Sequence, residues 1–160
     1  MEETCRLRAR QLLEELGVVD PPVDVEGVAS KCGLEVVYVN KGTGFYGQLL
    51  KERRIIEVQK DNHPHRQRFT IAHEIGHHVM GHNPVFCVFD NRGLDDPRKV
   101  NEKQAQIFAS ELLMPEHWVR KYWLELKRDR QALARKFYVS DEAMFRRLAD
   151  AGLLGLEPAL

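Results

Sequence analysis

RFTIAHEIGHHVMGH, residues 68–82, carries four of the seven histidines found in a chain of 160 residues. Phe69, Ile71, Ala72, Ile75, Val79 and Met80 spread apolar side chains around most of its circumference, which predicts a buried helix. At about 100° per residue, His77 falls about 40° from His73 and one turn along, so both imidazoles can reach one ion. Glu74 lies about 100° to the side, near enough to meet a water held there without itself being a ligand. Burying two histidines and a glutamate is costly unless something pairs them. Two neutral imidazoles on a rigid helix, with a carboxylate base beside them, are what zinc-assisted hydrolysis uses.

The other histidines fall elsewhere on the same wheel. His78 lies about 140° from His73, and His82 about 180° from it and past Gly81, so both are expected to make polar contacts at a helix end or surface. The longer pattern HExxHxxGxxH needs glycine at 80 and histidine at 83, where this chain has Met80 and Asn83. His63, His65 and His117 are read as loop or surface residues. A catalytic zinc takes three protein ligands and keeps one position open, so the third is sought among Asp95, Asp96, Glu102, Glu111 and Glu116. Residues 99–114, stopped by Pro115, have a helical period. Ala105, Ala109 and Leu113 all lie within about 60° of Glu102, which sets Glu102 on the inward stripe among small neighbours. Glu111 lies about 180° away and is expected on the outer face with Gln104. A carboxylate facing the core must be paired or bind a metal. Glu102 is therefore the candidate third ligand, with one Zn2+ per chain.

Upstream, Leu7, Leu12, Leu13 and Leu16 recur at helical spacing until Gly17. Asp24 is placed to cap a short helix that ends at Gly33. Residues 34–39, 44–50 and 54–59 are rich in β-branched and aromatic side chains and are expected as strands. Residues 62–67, with Pro64, are expected as a loop leading into the histidine helix. The apolar stretch 85–89 is read as a short buried strand, or as an edge on which an extended peptide could dock. A small three-stranded sheet, antiparallel or mixed, followed by helices makes the fold class α+β. The expected organisation is a core over 1–125 and a helical tail over 126–160.

Composition narrows the function. Lys and Arg total 24, and Asp and Glu total 24, without a long run of either sign, so charge alone does not point to nucleic acid. No stretch approaches the roughly 18 consecutive apolar residues of a spanning helix, and no membrane partner is expected. The N-terminus lacks the apolar segment of a signal peptide. Three cysteines without CxxC spacing give no disulfide framework. A reducing, cytoplasmic setting is expected.

RFTIAHEIGHHVMGH followed by ExxAxxFASELLMP (102–115) resembles the ImmA/IrrE family of zinc metallopeptidases. PPVDVEGVASKCGLEVVYV (21–39) resembles that family's first helix and strand, and the likeness extends over residues 8–152. It implies a thermolysin-like two-helix zinc site, with His73, His77 and Glu102 as ligands, Glu74 as catalytic base, and peptide-bond hydrolysis as the reaction. It also implies a protein substrate, a cytoplasmic helix-turn-helix transcriptional repressor cut at one or a few bonds. Gln106 departs from the family, which usually has Asn four residues after the ligand Glu to contact a ligand histidine. Residues 133–154 read as two helices broken near Tyr138 and Val139, the second capped by Ser140. This tail has helix-turn-helix-like spacing with Arg146 and Arg147 on its second helix, but packing on the core is preferred to DNA contact in a neutral chain. The rival readings are a non-catalytic, zinc-stabilised anti-repressor binding module and a DNA-binding regulator. Tyr46, His65 and Arg68 are candidates for stabilising an oxyanion.

Overall fold

The computed structural model describes residues 1–83 and 97–155; the apolar stretch 85–89 lies outside them. In chain order the elements are α1 (Glu2–Glu15), α2 (Val25–Lys31), β1 (Glu35–Val39), β2 (Gly47–Leu50) and β3 (Ile55–Gln59). The helices α3 (Pro64–Val79), α4 (Pro97–Leu113), α5 (Glu116–Glu125), α6 (Arg130–Phe137) and α7 (Asp141–Asp150) follow. The fold is α+β, and the sheet is mixed: β3 is central, parallel to β1 and antiparallel to β2. Ile56 on β3 faces Val36 on one side and Leu49 on the other, and is fully buried. α3 lies against β2 and β3 and packs most extensively on α4, whose other side is backed by α1.

Local chemistry explains where the elements start and stop. Asp24 caps α2 by accepting from the Gly27 N–H, and Ser140 caps α7 by accepting from the Ala143 N–H. The strand expected over 44–50 is shorter, beginning at Gly47, because Gly42 and Gly44 both take φ of 87° and turn the chain. Gly47 itself sits where any Cβ would collide with the Thr70 side chain and the Glu57 carbonyl, so β2 can lie directly on α3. The histidine helix starts at Pro64, earlier than the expected loop allowed. Proline at a first helical position gives up an N–H that would have no partner anyway, and His63 Nδ1 accepts from the His65 N–H at 3.0 Å. The tail closes on the rest: Leu133, Phe137, Met144 and Leu148 join the same core as Ile71, Phe108 and Leu112.

One expectation about α4 is overturned. Glu111 does not lie on an outer face; it is fully buried. Its carboxylate accepts from Arg10 Nε at 2.8 Å, from Arg147 Nη2, and from the Glu116 N–H at 3.1 Å. Arg147, 3% exposed, also donates from Nε to the Met114 carbonyl at 2.9 Å. α4 is covered on both sides, by α3 on one and by α1 and the tail on the other. The face opposite Glu102 is therefore a second interior, and its carboxylate is satisfied by two guanidiniums rather than by water.

Candidate metal centre

His73 and His77 come from consecutive turns of α3, and Glu102 reaches them from the first half of α4. Gly76 lets that happen. A Cβ there would stand 3.0 Å from Phe108 Cδ1 and 3.3 Å from the Ala105 backbone, so its absence allows the two helices to close together. His73 Nε2 lies 3.0 Å from Glu102 Oε2, and His77 Nε2 lies 2.9 Å from Glu102 Oε1. The two Nε2 atoms are 3.2 Å apart. Among the described residues, these three side chains form a cluster whose donor atoms could hold a metal ion.

The donor set fits zinc in both kind and spacing. Ligands about 2.0–2.1 Å from a tetrahedral ion stand about 3.3 Å from one another, close to the observed separations. His77 is almost fully buried, whereas the Glu102 side chain is 39% exposed, so the cluster opens toward solvent on the α4 side. Burial would raise the Glu102 carboxyl, but its interactions with His73 and His77 outweigh that and hold it well below the usual carboxylate range.

Glu74 sits beside this cluster and is only 6% exposed. Burial pushes its pKa up, to about 7; the charge of Glu102 adds to the rise, while His77 and a hydrogen bond from the Leu49 backbone N–H oppose it. A bound cation would draw it back down. The Leu49 contact shows how the sheet enters the site: the edge strand β2 fixes the carboxylate that α3 carries.

His78 behaves as expected. It is half-buried and hydrogen-bonds to the Cys32 backbone, away from the cluster. His82 does not. It is 7% exposed, and its Nδ1 lies 3.0 Å from His77 Nδ1, while its Nε2 lies 2.8 Å from Gln104 Oε1. The reason is the way α3 ends. Gly81 takes φ of 71°, and the His82 N–H donates to the His77 carbonyl at 2.9 Å, which is the fold-back of a glycine-terminated helix. Continuing the helical wheel past Gly81 misplaced His82, and Gln104, expected on the outer face of α4, is half-buried and meets it. The glycine after the last helical turn was the available signal.

None of the three oxyanion candidates is carried forward. Arg68 spends its donors on the carbonyls of Val23, Phe137 and Tyr138. His65 stands two turns before His73, about 12 Å along the helix, and packs on Tyr138. Tyr46 is 47% exposed and lies under Arg66, whose guanidinium is 4.8 Å from its ring centre. Gln106 is exposed, and among the described residues no hydrogen bond joins it to a histidine. It instead helps line a groove of about 590 Å³ with Phe69, Ile107, Leu113, Val139 and Ala143. The ligand cluster is not among the groove's walls, but Phe69 precedes His73, and Gln106 follows Glu102, by one helical turn each.

Among curated proteins no significant match is found. Among solved structures, a Mycobacterium tuberculosis transcriptional regulator superposes with a TM-score of 0.69 at 18% identity, over 92% of this chain and 46% of that one. That likeness shows a shared fold, and this chain spans about half that protein's length. The model of the IrrE N-terminal-like domain, a peptidase family, matches residues 32–149. That span takes in both helices of the candidate metal centre, and with it this chain belongs to the IrrE N-terminal-like domain family.

Proposed function

We propose that this chain is a zinc metallopeptidase in which His73, His77 and Glu102 hold one Zn2+ and Glu74 is the catalytic base. The observation that carries the reading is the convergence of three lone-pair donors beside a buried carboxyl whose pKa lies near 7. Zinc, when bound, acidifies a water and polarises a scissile carbonyl. Glu74 takes the attacking water's proton and returns it to the leaving amine, a role open to a buried carboxylate beside the ligands. The Leu49 N–H keeps that carboxylate aimed, and the packing of β2 on α3 keeps bulk water from its other side.

The substrate in this reading is a cytoplasmic helix-turn-helix repressor, cut at one or a few bonds. It rests on the ImmA/IrrE resemblance and agrees with the regulatory name of the structural neighbour. The groove beside the cluster offers apolar walls for substrate side chains, with the tail beyond residue 126 supplying Val139 and Ala143 to one side. DNA recognition by that tail is disfavoured, because Arg147 is sealed against Glu111 and Arg146 is paired with Glu142.

The test combines metal analysis with incubation of the zinc form and the repressor encoded beside it, fragments being read by mass spectrometry. Discrete fragments are expected from the wild type. None are expected from Glu74→Gln, which should keep its zinc, and Glu102→Ala should lose both zinc and cleavage. Tight binding without cleavage, unchanged by Glu74→Gln, would sink the peptidase reading and leave a binding module.

A further inference from the structure

We infer that His82 and Gln104 are positioning residues that set the tautomer of His77, so that its Nε2 lone pair is presented to the metal. The inference rests on the zinc reading above, and the geometry beneath it is the chain of contacts from His77 through His82 to Gln104. Gln104 Oε1 has only lone pairs to offer, so the His82 Nε2 that lies 2.8 Å away must carry a proton. A neutral imidazole has a single N–H, which leaves His82 Nδ1 bare. Its partner at 3.0 Å, His77 Nδ1, must then be the donor. With its one proton committed to Nδ1, His77 keeps Nε2 bare, so that Glu102, 2.9 Å from it, and His73 Nε2, 3.2 Å from it, would meet it through a shared cation rather than through a hydrogen bond.

Metal-binding histidines usually fix their second nitrogen on a carboxylate or a backbone carbonyl. Here the acceptor is another neutral imidazole, whose own orientation is set from the opposite helix. The relay ties the two ligand-bearing helices together a second time, because Gln104 stands on α4 two residues after Glu102. It also supplies the hydrogen bond that Gln106, exposed beside the groove, does not make. His82 reaches its place only because Gly81 ends α3 in the left-handed region and returns the chain over His77.

The experiment uses the full chain and three variants: His82→Leu, Gln104→Leu and Gln104→Glu. Two readouts apart from activity are taken. Long-range proton–nitrogen NMR on the metal-free protein reports which ring nitrogen of His77 is protonated, and competition with a chromophoric chelator gives the zinc dissociation constant. Wild type is expected to show His77 protonated on Nδ1. Both leucine variants should lose that fixed state and bind zinc about 10- to 100-fold more weakly. Gln104→Glu, which keeps an acceptor oxygen, should retain the tautomer and stay within about threefold of wild type. If His82→Leu does not fold, the half-buried Gln104 position still decides the matter. Wild-type His77 protonated on Nε2 would mean the relay runs in the opposite sense and would overturn the inference. So would leucine variants that bind zinc as wild type does. A wild type that binds no zinc would instead remove the peptidase reading, while the NMR arm would still report on the relay.

Discussion

Glu74 is a residue whose burial comes at the expense of stability. Its carboxyl is raised from 4.5 to about 7, chiefly by burial. The folded protein therefore holds this proton more tightly than the unfolded chain does. Stability consequently falls as pH rises from about 4.5 to about 7 and is level above that. At about 1.4 kcal/mol per unit, the full cost is at most roughly 3 kcal/mol. Metal-free Glu74→Gln, which can still accept from the Leu49 N–H, should be more stable than wild type by up to about that amount at pH 8. Near pH 4 the two should coincide. Urea unfolding at the two pH values checks this, and a gap of equal size at both would show that ionisation of Glu74 is not its source. The convergence of His73, His77 and Glu102, with Glu74 beside them, was legible in the sequence because all four sit in regular helix, where about 100° per residue holds. Glu111 shows the limit of the same arithmetic. Helix phase correctly put it opposite Glu102 but could not say that α1 and α7 cover that side.

At the level of elements, the sequence revealed periods and punctuation better than it revealed close approaches. The order of helices and strands, the Asp24 and Ser140 caps and the break at Tyr138 all follow from local chemistry. What local chemistry does not state is how near two elements come, and the clustering of His73, His77 and Glu102 depends on that distance. Gly76 is the case in point. Replacing it with valine would relieve the helix of a glycine, worth a few tenths of a kcal/mol. It would also force a branched side chain against Phe108 and the Ala105 backbone, already only 3.0 and 3.3 Å from a Cβ. Overpacking of this sort costs about 1–3 kcal/mol, so the clash outweighs the propensity gain. Gly76→Val is expected to lower the melting temperature and to weaken zinc binding with every ligand residue intact, because α4 must move away from α3. Calorimetry and chelator competition on the same preparation test this, and zinc affinity equal to wild type would show that the Gly76 contact does not set the reach of Glu102.

For the whole molecule, the decisive contact is one that no local pattern announces. Glu111 and Arg147 are 36 residues apart, and their pairing fastens α7 to α4 on the face opposite Glu102. The sequence offered Arg147 as a candidate for DNA contact because two neighbouring arginines on a short helix invite it. The structure separates the two: Arg146 is exposed, and Arg147 is interior. Removing one partner of a buried pair leaves the other charge uncompensated, at a cost of about 3–5 kcal/mol, while removing both together costs less. Arg147→Leu should therefore destabilise the whole chain in a single cooperative transition rather than release the tail alone, since the tail shares the core. Glu111→Gln should destabilise at least as severely, because it leaves the buried Arg147 guanidinium without a counter-charge, whereas Glu111 keeps Arg10 after Arg147→Leu. The double variant Glu111→Gln, Arg147→Leu should be more stable than the sum of the two losses implies, by about 1–3 kcal/mol. Denaturant unfolding of all four proteins, followed at once by tryptophan fluorescence for α5 and by far-ultraviolet dichroism for the whole chain, closes the cycle. Additive losses within about 0.5 kcal/mol would show that the pair is not what fastens the tail. Two separate transitions in wild type would show that the tail and the core are not one cooperative unit.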